Sequence, residues 1–126
     1  MDLDYTKLDG LIPAVIQDHA TGRVLMVGFM NREAFRATVE TGHATFYSRS
    51  RNKIWTKGET SGHRLQVKEI QTDCDQDSVV ILAEAIGPGV CHNGYRSCFY
   101  RSLRDGEWEV TEEQTFDPGA VYGGKP

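Results

Sequence analysis

The sequence contains no apolar run approaching the ~20 residues that a helix needs to cross a bilayer, so we expect no membrane association. Its first ten residues, MDLDYTKLDG, are acidic and polar, unlike a secretory signal. The net charge of −4 argues against a general nucleic-acid-binding protein. The length of 126 residues is too short for two ordinary domains, so we expect one compact domain.

Cysteine is scarce, and its count of three excludes complete internal disulfide pairing. Together with the lack of an export signal, this predicts a cytoplasmic protein whose thiols stay reduced and are kept for chemistry. A domain of this size buries only a modest part of its surface, so association into an oligomer would stabilise it.

Apolar and β-branched runs predict a chain made mainly of strands. The predicted strands are 14–18, 23–30, 44–48, 65–73, 78–86, 97–103 and 107–110. One helix is predicted, with Asn31 as its N-cap and Gly42 just beyond its end. Ala34, Phe35, Thr38 and Val39 are predicted to lie on one face of this helix. Residues 49–64 are predicted to form a loop.

These elements predict an α+β fold, a single compact domain dominated by antiparallel strands with one main helix. The domain is expected to span residues 1–116. Residues 117–126 contain two prolines and three glycines, so an arm or loose tail is expected there.

The segment DCDQD (73–77) places an aspartate at every second position. On an extended segment the carboxylates of Asp73, Asp75 and Asp77 would share one face. Cys74 would point to the other face. Three neighbouring carboxylates repel one another unless a hard cation such as Mg²⁺ or Ca²⁺ neutralises them. The alternative is a solvated acidic loop.

The segment CHNGYRSC (91–98) carries the other two cysteines. If the chain folds back at Asn-Gly, Cys91 and Cys98 converge, and with Cys74 they would supply three thiolates. Three thiolates match a zinc site whose fourth position is open to water, and zinc lowers the pKa of such a water toward neutrality. The alternative is three buried thiols that act as small apolar side chains. His92 is a candidate general base, because an unperturbed imidazole pKa near ~6.5 suits proton transfer.

The segment from Ser48 to Arg64 has five basic side chains and one acidic one. Its glycines, serines and threonines add backbone N–H groups and hydroxyls, which are the groups that bind phosphate. The candidate substrate-binding residues are Arg49, Arg51, Trp55, Lys57, Thr60, Ser61 and Gly62. A solvated loop and a core tryptophan are the alternatives. Together, the carboxylates, thiols and basic loop predict a metal-dependent enzyme acting on a phosphorylated substrate.

At these residues the sequence resembles the phosphoribosyl-AMP cyclohydrolases of histidine biosynthesis. The matching stretches, in order, are LMVGFMNREAF, FYSRSRNKIWTKGETSGH, DCDQD and GPGVCHNGYRSCF. They cover most of residues 11–100. His63 and Ile86 stand where similar members often carry asparagine and glutamine, and His63 is a second candidate for proton transfer.

The resemblance implies an intertwined homodimer and two metals. Zinc would be held by Cys74 of one subunit with Cys91 and Cys98 of the partner subunit. Mg²⁺ would be held by Asp73, Asp75 and Asp77. The implied reaction is hydrolytic opening of the adenine ring of 1-(5-phosphoribosyl)-AMP between N1 and C6, giving the formimino-carboxamide ribotide. A purine-nucleotide deaminase and a small zinc-stabilised binding module are the rival hypotheses.

Overall fold

Residues 2–122 are described by a computed structural model, and over this range the chain forms eight strands and two helices. In chain order they are β1 (Ile12–Asp18), β2 (Val24–Met30), α1 (Arg32–Thr41), β3 (Thr45–Ser48), β4 (Lys53–Thr56), β5 (Leu65–Thr72), β6 (Val79–Ala85), β7 (Arg101–Arg104), β8 (Glu107–Val110) and α2 (Pro118–Tyr122). Neither helix is long and apolar enough to cross a membrane.

The main sheet has four strands in the order β2-β1-β6-β5. The β1–β2 and β5–β6 pairs are antiparallel, and the central β1–β6 pair is parallel. Ile12, Ala14 and Ile16 are fully buried on β1, because alternate side chains of a strand share one face. The α+β fold dominated by antiparallel strands is confirmed, and the parallel central pair is the part that the sequence pattern did not predict.

Helix α1 begins and ends as predicted. The Asn31 side chain accepts a hydrogen bond from the Ala34 N–H at 2.8 Å, and the Gly42 N–H donates to the Thr38 carbonyl at 3.0 Å. The buried residues of α1 are Ala34, Phe35 and Thr38. Val39, predicted on the same face, is 41 % exposed. It lies about 140° around the helix axis from Ala34, at the edge of the apolar stripe.

The predicted loop at 49–64 contains a strand, so that prediction is wrong for part of the segment. Residues Lys53–Thr56 form β4, which pairs with β3 in antiparallel register, Phe46 opposite Trp55. The two rings pack with their centroids 5.3 Å apart, and Phe46 is 1 % exposed. The segment is mainly basic and glycine-rich, so the short apolar pair Ile54 and Trp55 did not indicate a strand. Both side chains pack against the core.

The predicted strand 97–103 is also only partly correct, because regular pairing begins at Arg101. Strands β7 and β8 pair with each other and form a separate two-stranded hairpin. On this hairpin Leu103, Trp108 and Val110 are 60 %, 70 % and 50 % exposed. The hairpin therefore presents an apolar surface to the outside of the chain.

The segment predicted as an arm or loose tail contains a short ordered element. Residues 118–122 form the short helix α2, in which the Ala120 N–H donates to the Asp117 carbonyl at 3.1 Å. Residues 123–126 lie outside the described part of the chain.

Candidate functional site

The turn between β6 and β7 brings two cysteines together. The Cys91 N–H donates to the Tyr95 carbonyl and the Gly94 N–H returns to the Cys91 carbonyl, each at 3.0 Å. The chain thus folds back between Cys91 and Cys98 as predicted. Loss of solvation, and then the neighbouring Cys91 thiol, raise the pKa of Cys98 to about 12, so without a metal it is a neutral thiol at pH 7. Cys91 is 4 % exposed, whereas Cys98 reaches the surface.

Ser97 anchors this turn to β2. Its hydroxyl donates to the Val24 carbonyl at 2.7 Å and accepts from the Phe99 N–H at 2.9 Å. The Cys98 N–H donates to the Leu25 carbonyl at 2.7 Å. These bonds fix the backbone on both sides of the Cys98 thiol, and Ser97 is fully buried. No sequence pattern indicates this role, since a serine beside a cysteine is not distinctive.

The two thiols open into a cavity of about 480 Å³. His92 lines it beside Cys91, as do Arg101 and Trp108 of the β7–β8 hairpin. His92 is exposed, so its imidazole is accessible to a ligand in this cavity. Two thiols at one opening are donors that soft to borderline metals such as zinc prefer. His92 lines the same cavity, but its nitrogens do not converge with both thiols within 4.8 Å over the described residues.

Lys57 joins the basic segment to the thiols. Burial lowers the pKa of Lys57, and the negative charges of Cys98 and Cys91 in their thiolate forms partly counteract this effect. The preceding β4 and the following turn fix the residue. Gly58 has φ +86°, and a Cβ there would lie 2.5 Å from the His63 carbonyl carbon, so the chain crosses itself closely at this glycine.

The other predicted substrate-binding residues are not all at the thiols. Arg49 lies over the Phe29 ring at 4.7 Å and lines a second cavity of about 500 Å³ with Tyr47 and Asn31. Arg51 is exposed in the β3–β4 turn, and Trp55 packs against the core.

The remaining predicted residues, Thr60, Ser61 and Gly62, follow Lys57 in an irregular turn. The Ser61 hydroxyl accepts from the His63 N–H at 3.1 Å. His63 meets Phe116 edge-on with ring centroids 4.9 Å apart, and its buried Nδ1 has no hydrogen-bond partner among residues 2–122. Its ring is therefore packed inside this turn.

The three aspartates after β5 converge, with one ligand atom of each within 4.8 Å of the others. The segment is a turn and not the extended segment predicted: Asp73 accepts from the Asp77 N–H at 3.1 Å and from the Ser78 hydroxyl at 2.7 Å. The Ser78 bond is the main cause of a lowered pKa at Asp73. Although Lys7 lowers the pKa of Asp77, Asp75 and Asp73 together raise it. This repulsion among oxygen donors fits a hard cation such as Mg²⁺.

Lys7 is the one cation found among the carboxylates over residues 2–122. Its Nζ lies 2.6 Å from Asp75 Oδ2 and 3.0 Å from Asp77 Oδ2. These residues are about 70 positions apart in the chain, so sequence inspection alone did not single out Lys7.

Cys74 lies in the same turn and is exposed. Within residues 2–122 the aspartate cluster is the only group of three possible metal ligands that converges within 4.8 Å. Cys74 of a given chain is therefore apart from Cys91 and Cys98, and one chain alone does not assemble three thiols.

Comparisons with known proteins agree with these features. The model of the family described as phosphoribosyl-AMP cyclohydrolase matches residues 26–100. A phosphoribosyl-AMP cyclohydrolase of Solibacter usitatus is 70% identical over 125 residues, covering 99% of both chains. Those of Geotalea uraniireducens and Geobacter sulfurreducens are 54% and 53% identical over 120 residues, each covering 95% of this chain and 96% of the relative.

Proposed function

The chain belongs to the phosphoribosyl-AMP cyclohydrolase family, and from that premise we propose that it opens the adenine ring of 1-(5-phosphoribosyl)-AMP between N1 and C6. The product is the formimino-carboxamide ribotide of histidine biosynthesis. The observation that carries the proposal is the cavity lined by Cys91, Cys98 and His92, with Lys57 near the thiols.

Substitution at N1 makes the adenine ring cationic and its C6 electrophilic, so one water must be delivered to C6 and its proton removed. Zinc, when bound by the cysteine thiolates, supplies a water of lowered pKa for this step. His92 accepts the proton at an imidazole nitrogen, since it lies beside the thiols and is exposed to the cavity. His63 is less suited to this role, because its ring is packed against Phe116.

The third thiolate would come from a second copy of the chain, in an intertwined homodimer. Cys74 is exposed and lies apart from the other two thiols of its own chain. The exposed apolar side chains of Leu103, Trp108 and Val110 give a second copy an apolar surface to cover beside the thiol cavity. Each zinc would then join Cys74 of one subunit to Cys91 and Cys98 of the partner subunit.

The aspartate cluster would hold Mg²⁺ through Asp73, Asp75 and Asp77. Its charge, with the basic segment, would neutralise the two phosphate groups of the substrate. The proposed substrate contacts are Arg49, Arg51, Trp55, Lys57, Thr60, Ser61 and Gly62. Lys57 is the best supported of these, because it alone of the three basic residues named lies near the thiols.

Incubation of the zinc-loaded protein with phosphoribosyl-AMP tests the proposal. We expect the absorbance of the ring-opened ribotide to appear without release of ammonia. Ammonia from this substrate or from AMP would indicate a deaminase and would contradict the proposal. A protein that turns over neither substrate and unfolds when zinc is removed would be a zinc-stabilised binding module.

The shared zinc site has its own test, in which two inactive variants complement each other. Cys74→Ala and Cys98→Ala should each be inactive, because two thiolates hold zinc poorly. In a mixed dimer both defects fall in one site and the other site is intact. Random reassortment makes half of the dimers mixed, so about a quarter of wild-type activity should return, and about half in the isolated mixed dimer.

Co-expression of Cys91→Ala with Cys98→Ala is the matched control. These two defects lie on the same side of the proposed site, so each site of the mixed dimer keeps one defect and no activity should return. If the isolated Cys74→Ala/Cys98→Ala dimer is also inactive, the shared site is refuted.

A further inference from the structure

The ammonium group of Lys7 lies among the carboxylates proposed to bind Mg²⁺. Its Nζ contacts Asp75 Oδ2 at 2.6 Å and Asp77 Oδ2 at 3.0 Å. About half of the Lys7 side chain is exposed, so the ion pair is accessible to solvent and can open without unfolding the domain.

Lys7 is held near the aspartates by contacts that do not involve its ammonium group. The Asp4 N–H donates to the Gln76 carbonyl at 2.7 Å, and the Gln76 side chain donates to the Asp2 carbonyl at 3.1 Å. One backbone bond and one side-chain bond therefore hold residues 2 and 4 beside Gln76, which lies within the aspartate turn. When the ammonium leaves the carboxylates, this tether keeps it at a high local concentration.

An ammonium and a divalent cation use the same oxygens in different ways. Mg²⁺ coordinates carboxylate oxygens at about 2.0–2.1 Å and keeps a shell of waters around itself. An ammonium that donates hydrogen bonds to Asp75 and Asp77 blocks those oxygens and repels a second positive charge. The two cations therefore cannot occupy the cluster together.

We propose that Lys7 is a tethered competitor of the divalent cation and sets the affinity of the cluster for it. Cation binding displaces the ammonium, while the hydrogen bonds of Gln76 to Asp2 and Asp4 stay in place. This inference rests on the magnesium role proposed above, but it concerns binding and not turnover.

The size of the effect follows from the fraction of time that the cluster is free. If the exposed ion pair is formed about four-fifths of the time, the carboxylates are free for about one-fifth of the time. The apparent affinity for the divalent cation is then about fivefold weaker than that of the free cluster. Removing the ammonium in Lys7→Met should restore that factor.

Mn²⁺ binding to the zinc-loaded protein, measured by electron paramagnetic resonance and reversed with Mg²⁺, gives the affinity directly. We expect Lys7→Met to bind Mn²⁺ about fivefold more tightly than wild type, and Lys7→Arg to remain near wild type. Lys68→Met is the matched control, because Lys68 is a similarly exposed lysine that pairs with Glu84 outside the cluster. The proposal would be overturned if Lys7→Met bound Mn²⁺ no more tightly than wild type or than Lys68→Met. It would also be overturned if neither wild type nor Lys7→Met bound Mn²⁺.

Displacement of Lys7 can be followed independently by amine acetylation and mass spectrometry. Saturating Mg²⁺ should raise the acetylation rate of Lys7 relative to Lys53 and Lys68 in the same molecule. A Lys7 rate that Mg²⁺ leaves unchanged would show that the ammonium stays in place and would refute the competition. Because neither experiment requires the nucleotide substrate, failure of the ring-opening assay and failure of this inference are separate results.

Discussion

Ser97→Ala should loosen the thiol turn from β2. The hydroxyl that it removes bonds both the Val24 carbonyl and the Phe99 N–H at a position with no solvent exposure. Loss of a buried bond with a donor left unpaired costs about 1–3 kcal/mol, so we expect the free energy of unfolding to fall by about 2 kcal/mol. For a domain of this size that corresponds to a melting temperature lower by about 8 °C.

Thermal unfolding followed by circular dichroism measures this change, at one protein concentration and with the metal removed, since association and bound metal also shift the melting temperature. Ser102→Ala is the control, because Ser102 lies on the β7–β8 hairpin and makes at most a weak hydrogen bond. Its hydroxyl lies 3.5 Å from that of Thr111, at the distance limit for such a bond. The control should stay within about 0.5 kcal/mol of wild type. If Ser97→Ala also stays within that range, the hydroxyl does not anchor the turn.

Two further substitutions test other parts of the site. Asp75→Asn should weaken cation binding and lower the ring-opening rate, because the affinity of a hard cation depends on ligand charge. The ring-opening rate should recover at high Mg²⁺. A loss of rate that no Mg²⁺ concentration relieves would contradict this role. Gly58→Ala should lower kcat/KM at least tenfold, because its Cβ would lie 2.5 Å from the His63 backbone and displace Lys57. In Gly62→Ala the Cβ has open space, so that variant has only the strain of a positive φ. Equal activity in the two variants would argue against the close crossing of the chain at Gly58.

The sequence predicted the elements whose signals are local. Asn31 and Gly42 define α1 through bonds within one turn of the helix, and the apolar run of β6 indicates a buried strand. Strand β4 was missed, because the four residues 53–56 are too short to show alternation within a segment dominated by glycine and charge. Its pairing with β3 and the packing of Trp55 on Phe46 are tertiary effects that override local composition.

The candidate site was predicted in part for the same reason. Cys91 and Cys98 are close in sequence, and the Asn-Gly pair between them signals the fold-back that brings the thiols together. Lys7 reaches Asp75 and Asp77 from about 70 residues away, and no local pattern encodes such a contact. Likewise, the basic residues form one cluster in the sequence, but in the hairpin Arg49 lines the cavity with Tyr47 and Asn31, whereas Lys57 lies near the thiols.

The parallel pairing of β1 with β6 has a consequence for how the chain folds. Ala14 lies opposite Val79, so the centre of the main sheet closes a loop of about 65 residues. During synthesis β1 and β2 can pair early, but the other edge of β1 has no partner until β6 has left the ribosome. An unpaired apolar edge is prone to aggregation, and long-range pairing is slow. A chain truncated before residue 79 would therefore expose Ala14 and Ile16 at an open edge instead of forming a smaller stable sheet.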